Sequence, residues 1–325
     1  MSFHSLISNF WPATVNGLVL GSIYALIALG YTLVYGVLRL INFAHSEVFM
    51  LSAFGSFLAL HVLGVPNHLP GGGDPYKTGW NLIGTLAVML AFSFAAGAIV
   101  AVLLERVAYR PLRKRDAPRL VFLISAIGAS FAMSEAVGHW GPKHTDDYAL
   151  PRIFQKKKLF TIFGADVRND YIVVFVGSLV MMGILVLFVN RSRVGRGIRA
   201  VSQDMDTARL MGVNVDLIIL ITFLVGGLMA GGAAFFFEIY NGSARYSLGF
   251  DLGVKAFTAA VLGGIGNIKG ALLGGLVLGV IENWGTSLFG NNQKMGTVTA
   301  FVVLVLVLMI RPTGLLGESM GRARA

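Results

Sequence analysis

The chain contains no cysteine. Disulfides and thiolate metal sites are therefore excluded, while the redox compartment stays open. Charge is also scarce. Asp, Glu, Lys and Arg make up 13% of the 325 residues, against about 25% in a soluble domain. No Lys or Arg precedes Arg39, so the positive region of a cleavable signal peptide is missing and the first apolar run is expected to be retained. No Gly-Lys dipeptide occurs, which excludes a phosphate loop of the G-x-x-x-x-G-K-[ST] type. H-E-x-x-H and G-x-S-x-G are absent, and the six histidines show no ligand spacing. No catalytic residue, metal site or chain-bound cofactor is expected, and the protein is not read as an enzyme.

What is present is apolar. Hydrophobic residues are 55% of the chain and the mean hydropathy is +0.73. Several runs approach the ~20 residues needed to cross a hydrocarbon core. Open sheets cannot exist in lipid, and the alternation of a β-barrel is missing. The expected fold is therefore an all-α polytopic membrane protein, one transmembrane domain over residues 1–325. Spans are expected at 12–37, 47–64, 81–104, 120–140, 171–189, 217–237, 270–289 and 296–310. These eight are joined by a glycine-broken or re-entrant piece at 253–268. The net charge of +10 points to basic loops facing cytoplasm and anionic lipid rather than to nucleic acid. Fifteen basic residues fall on the side of Arg39 and loops 105–119 and 190–216, against eight on the other. That bias puts those loops and the C-terminus in the cytoplasm and loop 141–170 outside. The alternation around LFTIFGADV in that external loop suggests a small hairpin.

Glycines recur four residues apart at Gly17/Gly21, Gly227/Gly231, Gly270/Gly274 and Gly275/Gly279, a spacing that lets helices approach closely in lipid. The string GLVLG occurs at 17–21 and again at 275–279, a hint of internal repetition. Polar residues interrupt the apolar runs. Residues 40–47, LINFAHSE, place Asn42, His45 and Glu47 between two spans, and Glu282 lies mid-run in GGLVLGVIENWGTSLF. Ionisable groups in hydrocarbon persist when they face a water-filled path, a partner or an interface. Asn42, His45, Glu47 and Glu282 are therefore candidates for a translocation path, with a solvated turn at the inner interface as the alternative for Glu47. Gly263, Gly264 and Gly266 join the candidates, because unwound backbone at membrane depth either lines a cavity or is buried in protein.

Between the runs 171–189 and 217–237 lies a polar island, RSRVGRGIRAVSQDMDTARLMGVNVD. It holds a short helix with both ends marked. Asp204 stands at the N-cap, Asp206 in the first turn, Arg209 in the last turn, and Gly212 as the stop. Eight residues span only about 12 Å, too short to cross a bilayer or to be stable alone. Such a helix gains most by docking onto something else.

Three separated blocks, NGLVLGSIYALIALGYTLVYGVLRLINFAHSE, QDMDTARLMGVNVD and KAFTAAVLGGIGNIKGALLGGLVLGVIEN, resemble the H-type permease subunit of bacterial branched-chain amino-acid ABC importers, the Liv system. The resemblance covers nearly the whole chain. It implies a multi-pass protein of the bacterial inner membrane paired with a sister permease. Two cytoplasmic ATP-binding subunits would consume ATP, and a periplasmic binding protein would deliver aliphatic amino acids. Under that resemblance the short helix is the coupling helix, with Asp206, Thr207, Ala208 and Gly212 at its signature positions. Ala208 then allows close approach of the ATPase, and Arg199 and Arg209 pair with acidic rims of its cleft. The alternative is an ion-coupled secondary transporter using the buried acids; it leaves the capped helix without a task.

Overall fold

The computed structural model describes residues 7–65, 79–140, 148–149, 153 and 155–317. Lys77, His68, His144, Arg322 and Arg324 lie outside them. Among the described residues the α-helices are, in order, α1 Phe10–Leu38, α2 His45–Val62, α3 Trp80–Leu104, α4 Arg110–Lys114, α5 Arg119–Trp140, α6 Asn169–Arg191, α7 Arg193–Gln203, α8 Met205–Leu210, α9 Val215–Asn241, α10 Leu248–Gly263, α11 Ile268–Leu288 and α12 Gln293–Ile310. A π turn, Glu105–Tyr109, joins α3 to α4 in one rod. Among the described residues, seven helices are long and apolar enough to cross a membrane: α1, the α3–α4 rod, α5, α6, α9, α11 and α12. The expected span at 47–64 is a helix, α2, but its polar start keeps it out of that group.

α1 and α9 form the buried axis of the bundle, while α3, α5 and α12 turn most of their surface outward. The two GLVLG strings pack against each other. Gly17 and Gly21 of α1 meet Gly275 and Gly279 of α11 so closely that a methyl on Gly17 would sit 2.7 Å from the Val280 Cα. Without side chains in the way the two backbones touch, and dispersion over that seam replaces the hydrophobic drive that lipid does not supply. Side-chain hydrogen bonds extend it: Asn16 Nδ2 donates to Asn283 Oδ1 at 3.0 Å, and Trp284 Nε1 to Thr14 Oγ1 at 2.9 Å. Gly97 of α3 and Gly227 of α9 make a second such crossing, clasped where Ser93 Oγ donates to the Gly231 carbonyl at 2.7 Å.

Contacts fix which ends share a face. Arg39, just past α1, donates to the carbonyls of Ser202 and Gln203 at the end of α7. Arg113 pairs with Asp216 at the start of α9. Residues 314–316 lie on the α10–α11 turn. The basic loops 105–119 and 190–216 and the C-terminal segment are therefore on one side. On the other side, the Trp11 ring stacks on Phe163 at 4.8 Å and Phe10 on Trp284 at 5.1 Å. Phe163 and Gly164 turn the antiparallel hairpin β2 Lys158–Ile162 and β3 Ala165–Arg168 with positive φ at both positions, 48° and 85°. This is the two-residue turn that matches strand twist.

Two expectations need correction. The polar island is two helices, not one: α7, capped by Ser192 Oγ on the Gly195 N–H, precedes the short helix. Its glycines serve packing. Gly195 seats against the carbonyls of Val189 and Phe188, and Gly197 against Ile218. Residues 253–268 do hold the expected glycine break, but it is a closed turn. α10 runs unbroken to Gly263, and Gly264 and Gly266, φ 106° and 94°, make the turn into α11. The C-terminal segment seals that turn: Leu315 N–H donates to the Leu262 carbonyl at 2.8 Å, Leu316 N–H to Gly263 at 3.0 Å, and Asn267 Nδ2 to Leu316 at 2.8 Å. Gly263 and Gly264 are thus buried against the C-terminal segment, while Gly266 is exposed.

Candidate functional site

The start of α2 lies inside the bundle. His45 packs against Gly30, eight residues or about 12 Å from the end of α1. Residues 39–44 climb to that depth as coil, anchored where Tyr109 OH donates to Asn42 Oδ1 at 2.9 Å. Three consecutive polar side chains then each meet a glycine on another helix. His45 meets Gly30 of α1, Ser46 meets Gly253 of α10, and the Glu47 carboxylate meets Gly249, the second residue of α10. Glu47 is 1% exposed, so the solvated-turn alternative fails.

α10 also begins at depth. Its 16 residues reach about 24 Å from the α10–α11 turn, well short of the roughly 43 Å of the 29-residue α1. Two helix N-termini therefore converge on Glu47, third in α2 and beside the first turn of α10. The positive ends of the two helix dipoles point toward it. Ser130 Oγ of α5 donates to Glu47 Oε1 at 3.2 Å. Glu47 Oε2 has no hydrogen-bond partner among the described residues, and neither do Asn42 Nδ2 and His45 Nε2. Near the start of α10, Phe250 is exposed, and Arg245 and Asp251 form an exposed ion pair at 2.9 Å. Above Ser130 on α5, a recess of about 310 Å³ is lined by Ala132, Glu135, Ala136 and His139.

Glu282 sits elsewhere. Lys255 of α10 donates to its Oε1, Thr297 Oγ1 of α12 to the same oxygen at 3.2 Å, and Tyr24 OH of α1 to Oε2 at 2.9 Å. The Lys255 ammonium also stands 5.9 Å from the Tyr24 ring centroid. Both carboxylate oxygens are satisfied and the residue is buried, so Glu282 braces four helices. Lys255, an ionisable residue near the start of the broken segment, is the other half of this pair. Lone opposite charges in two successive apolar segments were its only signal.

The short helix is built as its sequence indicates. Asp204 Oδ1 accepts from the Thr207 N–H at 2.7 Å, and that N–H holds the Asp204 carboxyl below the usual carboxylate range. Gly212, φ 80°, ends the helix, with the Val213 N–H closing onto the Ala208 carbonyl at 3.0 Å. Asn214 then caps α9. Asp206, Thr207 and Arg209 are exposed, with Arg209 only loosely paired to Asp206 at 3.8 Å. Two site expectations change. Ala208 is 4% exposed: it packs against its own chain, because the helix must bury one face to stay formed. Arg199 donates to the Val189 carbonyl at the end of α6, which commits at least one guanidinium nitrogen internally. Beside these polar groups the outward surface carries an apolar tip, with Leu210 88% and Met211 80% exposed. Sequence reasoning missed both residues; large apolar side chains beside the stop glycine of a polar loop were the available signal.

Comparison with known proteins adds four findings. The family described as the permease component of branched-chain amino acid transport systems matches residues 13–308. The high-affinity branched-chain amino acid transport permease BraD of Pseudomonas aeruginosa is 41% identical over 319 residues, 96% of this chain and 97% of that one. LivH of Escherichia coli is 38% identical over 320 residues, 95% and 96% of the two chains. Among solved structures, a metal-chelate type ABC transporter in an inward-facing conformation aligns with a TM-score of 0.47 at 20% identity, over 91% of this chain and 85% of that one.

Proposed function

The chain belongs to the branched-chain amino-acid permease family, and from that premise we propose how this subunit works. It is the permease component of a high-affinity branched-chain amino-acid ABC transport system, a multi-pass membrane protein whose ATP hydrolysis resides on other chains. A periplasmic binding protein delivers the amino acid, and two cytoplasmic ATP-binding subunits drive its passage. The Lys/Arg bias puts the face bearing α8 in the cytoplasm. A sister permease covers the side where Glu135, Arg245 and Asp251 are exposed, since charges at membrane depth face water or protein rather than lipid.

The exposed apolar tip Leu210–Met211 on a capped, anchored helix carries the coupling role. The tip fills a cleft on an ATPase subunit, with Asp206, Thr207 and Arg209 at the rim. Asp204 and Gly212 set the helix ends, and Ala208 and Arg199 hold the helix to its own bundle. Movement of α8 passes through Arg39, which grips the end of α7 and is joined to α1, the axis of the bundle. Replacing both Leu210 and Met211 with Glu is expected to abolish co-purification of the ATPase subunits and ATP-driven leucine uptake, while the permease keeps its melting temperature. Normal uptake by that double variant, or uptake by this chain alone in proteoliposomes without ATP, overturns the reading.

A further inference from the structure

We propose that Glu47 is the counter-charge for the α-ammonium group of the amino acid during its passage, uncovered when the start of α10 moves off α2. The inference rests on the permease reading above and names a residue contact and a chemical group for it. Glu47 turns a carboxylate oxygen, Oε2, unpartnered among the described residues, toward the start of α10. Its carboxylate stands at the N-terminal turns of two helices and accepts from Ser130, yet no cation pairs with it among the described residues. A buried carboxylate without a cation is costly, as the pairing of Glu282 with Lys255 in the same bundle illustrates. Glu238 also lacks a partner among the described residues, but it lies in the last turn of α9, where the helix end works against a negative charge and calls for no counter-ion. His45 faces Gly30 and Gly226, in the packed seam between α1 and α9.

Access is built in on the Glu47 side alone. The residue across from Oε2 is Gly249, which has no side chain to withdraw, and the exposed Arg245–Asp251 pair flanks that helix start. Glu135 and the recess on α5 lie further along the helix that supplies Ser130. An aliphatic amino acid brings one cation, its ammonium. Its side chain makes no other charge demand on a path lined by glycine, Phe250 and serine.

The test uses the complete importer, with binding protein and ATPase subunits, in proteoliposomes with radiolabelled leucine. Glu47→Gln keeps shape and the hydrogen bond from Ser130 but removes the charge. Leucine uptake is expected to fall at least tenfold, with binding-protein-stimulated ATP hydrolysis within twofold of the unaltered complex and a melting temperature unchanged or higher. Glu47→Asp is expected to retain part of the uptake. Uptake within twofold of normal in Glu47→Gln overturns the proposal and leaves the permease reading standing. A lowered melting temperature accompanying the loss assigns Glu47 to packing and also overturns it. Failure of the unaltered complex to transport leucine sinks the permease reading itself.

Discussion

Glu282 and Glu47 are both buried carboxylates in one apolar bundle, 3% and 1% exposed, yet their surroundings are opposites. Glu282 has an ammonium, a phenol and a hydroxyl on its two oxygens. Glu47 has one donor on another helix and a bare glycine across from it. A closed network fixes helices to each other, whereas an open one is a place where something must arrive or move. Burial alone does not separate the two roles; the count of satisfied atoms does.

The contrast breaks first at the closed site. Lys255→Ala leaves Glu282 buried without its cation and is expected to lower stability by about 3–5 kcal/mol, read as thermal unfolding in detergent. The double change Lys255→Met with Glu282→Met is expected to recover most of it, since an apolar pair replaces an ion pair in hydrocarbon at little cost. A double variant as unstable as the single one would mean that the pair does more than balance charge. The contrast sharpens at the open site. Ser130→Lys places a permanent ammonium beside Glu47 and turns it into a copy of the Glu282 brace. Stability is expected to hold or rise while leucine uptake falls at least tenfold; undiminished uptake would show that the carboxylate need not be free. The smallest effect is expected from Gly249→Ala, whose methyl presses on the Glu47 carboxylate. Overpacking of that kind costs about 1–3 kcal/mol and should slow uptake severalfold. Normal rates there would place the moving element elsewhere than α10.

Much of the fold was legible because hydropathy in lipid is nearly decisive. The spans at 12–37, 81–104, 120–140, 171–189 and 217–237 differ from their helices by a few residues at each end. The short helix was legible because Asp204 and Gly212 act within their own turn. α7 was not, since Gly195 and Gly197 read locally as helix breakers and their purpose is contact with Val189 and Ile218. The burial of Ala208 and the sealed turn at Gly263, Gly264 and Gly266 depend on chain that arrives from elsewhere, residues 311–317 in the second case. The Lys255–Glu282 pair joins separate helices 27 residues apart, beyond any periodicity. The repeat GLVLG was visible as a string, but that its two copies are mates became evident only in three dimensions.

The strap formed by residues 314–316 has a mechanical consequence. By hydrogen bonding across the elbow between α10 and α11, it prevents those two helices from flexing against each other and carries the end of α12 with them. The three are then one wedge, which the Gly17/Gly21–Gly275/Gly279 seam and the Tyr24–Glu282 bond hold against α1. If the wedge is to lift its tip from Glu47, the bending has to occur upstream, around Gly242, whose φ of 77° ends α9 six residues before α10 begins. That glycine is the natural axle, and stiffening it would freeze the wedge without touching a single polar group.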